Sequence, residues 1–163
     1  MRQVIKRDGR KENVDFNKIT NRYKNLMSTV DATIVGQKVI ESIYDDIPTR
    51  ELDELAAETA ISLSTLDPKY GELASRIVVS DLHKETTGSF VEKTELLYNN
   101  GFVTREYFDI VNQNKDFIVN MIDYSRDFLF DFFGLKTLLK AYLLRVEEKT
   151  VERPQDLWCR VAI

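Results

Sequence analysis

The 163 residues contain one cysteine, one histidine, three prolines and six glycines. A single cysteine excludes a disulfide framework, and one cysteine with one histidine cannot complete a four-ligand zinc site. Such sparing use of cysteine fits a reducing, intracellular compartment, so a cytoplasmic protein is expected. The first residues carry no apolar signal core, and no window approaches the roughly 20 apolar residues of a membrane span. No membrane partner is expected. So few prolines and glycines leave few breaks, which points to long helices.

What is present is enough for a packed core: 43% of the residues are apolar and 31% charged, compatible with one ordinary domain or two small ones. The charge is unevenly placed. Residues 1–24 hold eight Lys or Arg against three Asp or Glu, while the whole chain is at −4. The pI near 5.2 argues against general nucleic-acid binding, which needs a broad basic face. A local cluster of cations suits a small polyanion.

Asp8-Gly9 separates two short apolar–basic runs and predicts a hairpin with a two-residue type I′ turn. Arg7 would then pair with Arg10 and Lys6 would face Lys11, a like-charge contact that a shared phosphate would relieve. A solvated edge hairpin with protective lysines explains the same residues. A helix over 17–30 follows, capped by Asp15 or Asn17, with Phe16, Ile19, Tyr23, Leu26, Met27 and Val30 on one face. Lys18 falls in its first turn beside free backbone N–H groups, a combination that attracts anions.

Further helices are expected over 34–45, from Thr49 as N-cap along the stripe Leu52, Leu55, Ala56, Ala60, Leu63 and Leu66, and from Asp67-Pro68 along Leu73 and Ile77. Asp53 lies beside the third stripe, either complementing the helix dipole or accepting from a sugar hydroxyl. Lys84 lies seven residues after Ile77, on nearly the same face. It either snorkels to solvent or reaches a ligand. His83, without metal-ligand spacing around it, reads as surface or packing.

Beyond these helices, Ser89 and Glu92 form a capping box, and Gly101 ends the short helix they start. Thr104 caps a helix burying Tyr107, Phe108 and Val111, and another presents Phe117, Ile118, Met121 and Ile122. The aromatic run at 128–133 reads as packing rather than base stacking, since no Lys or Arg follows Arg126 within it. Residues 146–151 read as strand-turn-strand, and Pro154 opens a last helix carrying Cys159 in the core. That helix reaches the chain end uncapped, as in a cut chain.

Several segments together carry a family resemblance. Val-Ile-Lys-Arg-Asp-Gly-Arg (4–10), Phe-Asn-Lys-Ile (16–19), Thr-Arg-Glu-Leu-Asp-Glu-Leu-Ala-Ala-Glu-Thr (49–59) and Asp-Leu-His-Lys-Glu-Thr (81–86) occur in order. Asp-Tyr-Ser-Arg-Asp-Phe (123–128), Phe-Phe-Gly-Leu-Lys-Thr-Leu (132–138) and Glu-Arg-Pro-Gln (152–155) follow. The set resembles the N-terminal part of the large chain of class I ribonucleotide reductase, eukaryotic and viral in style. It implies a mainly α fold: an N-terminal β-hairpin over a four-helix ATP-cone bundle at 1–91, then a helical segment with a short β-hairpin at 92–163 that begins the catalytic domain.

The resemblance further implies an allosteric site for ATP or dATP, with Mg2+, controlling overall activity in deoxyribonucleotide synthesis. Lys6 and Arg7 would contact the nucleotide from the first strand. Glu12, Asn13, Val14, Asp15, Phe16, Asn17 and Lys18 would surround base and phosphates. Thr49 and Asp53 would lie at the sugar, and Lys84 at the phosphates. Asn17 stands where the family often has Asp, and asparagine also caps a helix. Implied partners are further copies of the chain through the cone and the reductase small subunit. The family's active site needs a radical cysteine and two reducing thiols, so no catalytic residue is expected here. A purely structural cone that binds no nucleotide is the alternative. A transcriptional regulator would carry its cone behind a zinc ribbon with four zinc ligands, which one Cys and one His cannot supply.

Overall fold

The computed structural model describes residues 2–27 and 29–163, which form two compact units that meet in sequence between Asp81 and Leu82. The fold is mainly helical with a small N-terminal sheet, as the sequence leads one to expect. In the first unit the sheet has three strands, β1 (Gln3–Ile5), β2 (Lys11–Asn13) and β3 (Ile47–Pro48). Their order is β2-β1-β3, with β2 antiparallel and β3 parallel to β1. The third strand was not foreseen, being two residues long and followed at once by a helix.

The hairpin differs from the sequence expectation by one residue of register. Ile5, not Lys6, stands opposite Lys11. Lys6 N–H donates to the Arg10 carbonyl at 2.8 Å and Gly9 N–H to the Lys6 carbonyl at 2.9 Å. Arg7, Asp8 and Gly9 thus form a three-residue loop in which Gly9 alone has positive φ, at 82°. Its geometry is that of a type I turn closed by a left-handed glycine. Asp8 keeps an ordinary backbone because its carboxylate accepts from Arg10 N–H and Arg10 Nε, at 3.1 and 2.7 Å. The expected lysine–lysine opposition is therefore absent. Lys11 pairs instead with Asp46 at 2.5 Å.

Four helices pack under this sheet. The first, α1 (Phe16–Leu26), is shorter than the expected 17–30, and position 28 lies outside the described residues. Asp15 caps it, its side chain accepting from Asn17 and Lys18 N–H. The second, α2 (Ala32–Ser42), is capped by Asp31. It crosses α1 closely at Gly36, where an added Cβ would stand 2.6 Å from Thr20 Oγ1. Neighbouring on α2 is α3 (Thr49–Ser62), which begins directly after β3. Thr49 is not its cap: the cap position is Pro48, and Thr49 is a buried first-turn residue. Leu52, Ala56, Ala60 and Leu63 are buried as the stripe predicts, whereas Leu66 is 77% exposed. A 3-10 turn over Leu63–Thr65 ends the helical phase, so Leu66 leaves the stripe. The fourth, α4 (Lys69–Glu85), starts where Asp67 accepts from Lys69 N–H at 2.9 Å. It buries Leu73 and Ile77.

The second unit contains α5 (Phe90–Asn99), α6 (Arg105–Gln113), α7 (Lys115–Met121), α8 (Phe132–Ala141) and α9 (Pro154–Ala162). The Ser89/Glu92 capping box and the Thr104 cap form as read from sequence. Phe117 and Met121, expected inside, are 68% and 62% exposed. A seven-residue helix has too few turns to bury both faces, and Ile118 takes the inward position. Strands β4 (Arg145–Val146) and β5 (Lys149–Thr150) form the second hairpin. Glu147 and Glu148 both have positive φ there, 49° and 65°.

Candidate nucleotide pocket

A cavity opens beneath the first hairpin, with about 470 Å³ of empty space continuous with solvent. Its wall is built from three elements of the first unit. The hairpin contributes Val4, Lys6, Glu12, Asn13 and Val14. The start and inner face of α1 contribute Asp15, Lys18, Ile19, Arg22 and Tyr23, and α3 contributes Thr49 and Leu52. The strand alternation explains the first group. Val4 and Lys6 are two apart and point to one side, and Glu12 is the cross-strand partner of Val4. Helical spacing explains the second, since positions 15, 18, 19 and 22 follow one face of α1.

The pocket is lined by charge that is already paired. Glu12 lies between two lysines, accepting from Lys6 Nζ at 3.0 Å and from Lys18 Nζ. Lys18 first and then Lys6 hold the Glu12 carboxyl below its ordinary value, and Glu12 in turn raises that of Lys18. All three side chains are at least a third exposed, so water and small ions compete for these contacts. The expectation of free N–H groups at the start of α1 is corrected as well. Asn17 N–H and Lys18 N–H donate to Asp15 Oδ1 at 2.8 and 3.3 Å. A bound anion would have to share or take over these donors.

Deeper in, Asp53 is 1% exposed. Arg22 Nη2 donates to Asp53 Oδ2 at 2.5 Å, and Nη1 lies in ion-pair contact with Oδ1 at the same distance. Arg7 stands 3.7 Å from the same carboxylate and is also bonded to Asp81. The Tyr23 hydroxyl is buried and has no hydrogen-bond partner in the structure. Burial, and next the Asp53 charge, push its pKa well above the ordinary phenol value. An unpartnered buried hydroxyl costs about 1–3 kcal/mol, and this one belongs to a residue that lines the cavity.

The structure therefore brings together Lys6, Glu12, Asn13, Val14, Asp15, Lys18 and Thr49 around one cavity. Arg7, Asp53, Phe16 and Asn17 of the same unit are not among its lining residues. Asp53 is buried behind the wall, joined to it through Arg22, and Arg7 approaches Asp53 from the exposed hairpin loop. Phe16 is 37% exposed, and Asn17 is exposed outside the lining. Lys84, on the last turn of α4, is exposed and belongs to the second unit. Arg22 and Tyr23 were missed as site residues. Tyr23 was read as core, which it also is, and Arg22 could have been found from its i, i+4 spacing to Lys18. Among the described residues no group of three His, Cys, Asp or Glu could hold a metal ion. No helix of the described residues is long and apolar enough to cross a membrane.

A family model described as the ATP cone domain matches residues 2–85. The chain is also similar to proteins named ribonucleoside-diphosphate reductase large subunit. It is 45% identical to one from Dictyostelium discoideum and 47% identical to one from Vaccinia virus (strain Copenhagen), in each case over 98% of this chain. It is 43% identical over the same share to the large chain 2 of Saccharomyces cerevisiae. These matches cover 20%, 23% and 20% of the respective relatives, so the chain spans about a fifth of their length.

Proposed function

This chain belongs to the ATP cone family, and on that premise we propose that its first unit binds ATP or dATP as an effector of a ribonucleoside-diphosphate reductase. The observation that carries the reading is the cavity beneath the hairpin, with Lys6, Lys18 and Arg22 converging on it from a strand and a helix. Three cations around one opening match a polyphosphate, and the charge-assisted contacts they offer are stronger than neutral hydrogen bonds. Val4, Ile19 and Leu52 give the same cavity an apolar side on which a base can rest. Glu12, Asn13 and Thr49 add polar atoms for orientation. Asn17 and Phe16 stand at the start of α1 beside this opening, and for Lys84 the family resemblance is the argument.

Mg2+ would accompany the nucleotide on its phosphates. The carboxylates of the pocket, Glu12 and Asp15, are both engaged by N–H donors and do not form a protein-only metal site. The reductase reaction named for the relatives is placed outside this unit, because thiyl chemistry needs several thiols and Cys159 is the one cysteine of these residues. Burial raises the Cys159 thiol pKa, which suits packing rather than reactivity. The cone would act by changing how it packs against further copies of the chain, in an enzyme that also uses a small subunit in the cytoplasm. Such a change requires contacts that differ between the ATP and dATP forms.

Isothermal titration of the 163-residue chain with ATP and with dATP tests the reading directly. Saturable heat is expected for both, and none at high micromolar nucleotide would remove the proposal. The alternative is a cone that serves packing alone. It predicts an unchanged melting temperature in excess dATP, whereas a ligand at 100 times its Kd adds about 2.7 kcal/mol of stability.

A further inference from the structure

We propose that Arg22 is a phosphate-binding residue of this pocket, held in reserve on Asp53 and transferred to the anion when one binds. The inference rests on the nucleotide reading above, but its anion step can be tested without a nucleoside.

Three observations carry it. Arg22 lines the cavity and its side chain is 27% exposed, so part of it is reachable from the opening. Asp53, which it grips, is 1% exposed and does not line the cavity. An arriving anion thus meets the arginine before it meets the acid. The second observation is Arg7, 3.7 Å from the same Asp53 carboxylate. A buried carboxylate that loses its only cation is strongly penalised, by several kcal/mol. Asp53 would retain a guanidinium when Arg22 leaves, so the exchange does not strand a charge. The third is the Tyr23 hydroxyl, next to Arg22 in sequence, buried and without a partner. It is a donor ready for the Asp53 charge or for the ligand once the Arg22 fork has moved.

The exchange is chemically even-handed. A guanidinium fork matches two oxygens of a carboxylate or two of a phosphate with nearly the same geometry. Asp53 therefore acts as a competitor for Arg22 in the unliganded pocket. Its removal should strengthen anion binding, the opposite sign from removing a ligand contact.

The test uses the 163-residue chain with three probes, inorganic tripolyphosphate, ATP and dATP, in low salt by calorimetry. Arg22→Met should weaken all three by tenfold or more. Asp53→Asn should strengthen tripolyphosphate binding by threefold or more. Arg22→Lys keeps the charge but not the fork, and should weaken tripolyphosphate binding by less than Arg22→Met does but by more than about threefold. Thermal melts report whether each variant is folded, and Arg22→Lys keeps the inference testable if Asp53→Asn unfolds. Unchanged tripolyphosphate affinity in Arg22→Met would overturn the proposal. So would weakened tripolyphosphate binding in folded Asp53→Asn, because Asp53 would then position Arg22 rather than compete for it. A chain that binds tripolyphosphate through Arg22 but neither ATP nor dATP would instead remove the nucleotide reading and leave the exchange standing.

Discussion

Two sets of ion pairs in this protein look alike in a contact diagram and differ in what they can do. Around the first-unit pocket, Lys6, Glu12 and Lys18 are joined while each remains at least a third exposed. In the second unit, Lys93 and Asp156 are paired at 2.7 Å and are 4% and 1% exposed. Asp156 also accepts from the Tyr124 hydroxyl at 2.6 Å and from Arg153 N–H at 2.8 Å. Nearby, Glu152 accepts from Arg160 Nε at 2.5 Å and from Leu144 N–H at 2.9 Å, and Asp127 sits 2.7 Å from His83 Nε2. Exposed pairs cost little to open because water replaces each partner. Buried ones hold their geometry, because opening them strands a charge. The first set is open to exchange with water and ions; the second is part of the scaffold.

The sharpest break of this comparison is Asp156→Ala. It leaves the Lys93 ammonium buried, together with the Tyr124 and Arg153 donors, and should cost about 3–5 kcal/mol in urea unfolding. Burial lowers the Lys93 pKa, and Asp156 pulls it in the opposite direction. A loss under 1 kcal/mol would mean the network is wetter than the structure shows.

Lys6→Ala should give the converse pattern. Folding stability should change by less than about 1 kcal/mol, since the pair it breaks is exposed. Affinity for ATP should fall by about tenfold, as expected for one charge-assisted contact. Equal small effects on both measurements would place Lys6 outside the binding surface.

Ser89→Ala removes the hydroxyl that accepts from Glu92 N–H and should cost about 1 kcal/mol, independent of nucleotide. A smaller effect is one of pH. The folded Glu12 pKa lies below its ordinary 4.5 because of Lys18 and Lys6. Its contribution to stability is therefore present above pH 4.5 and is lost as pH falls through the lower folded value. Melts of the parent and Glu12→Gln should converge as the pH drops toward 3; a gap that stays constant would show that the pairs do not form in solution.

The sequence and the structure part company most plainly at the two hairpins. Asp8-Gly9 is the standard signal for a type I′ turn, yet Gly9 alone has positive φ there. Glu147-Glu148 carries no such signal, yet both residues have positive φ. Local preference at Asp8 was outweighed by its own bonds to Arg10. At 147–148 the strand pairing of Arg145 with Thr150 and Val146 with Lys149 leaves two residues to close the turn. A left-handed backbone costs a non-glycine residue about 1–2 kcal/mol, so Glu148→Gly is expected to be neutral or slightly stabilising by thermal melt.

The helices were legible because their signals are local. The caps Asp15, Ser89 and Thr104, the proline opening at Pro154 and the apolar stripe of α3 each depend on residues within one or two turns. The excess of cations near the N-terminus, and with it Lys6 and Lys18 as pocket residues, could be counted from the sequence. Partner choice could not. That Lys11 turns to Asp46, that Arg22 rather than solvent holds Asp53, and that His83 meets Asp127 depend on residues 31 to 44 positions apart. No periodicity records those distances. The sequence by itself determined which segments become helices and where positive charge gathers, because both follow from neighbours along the chain. Only the tertiary structure decided which cation faces which acid, because a charge takes its partner from whatever packing brings within reach.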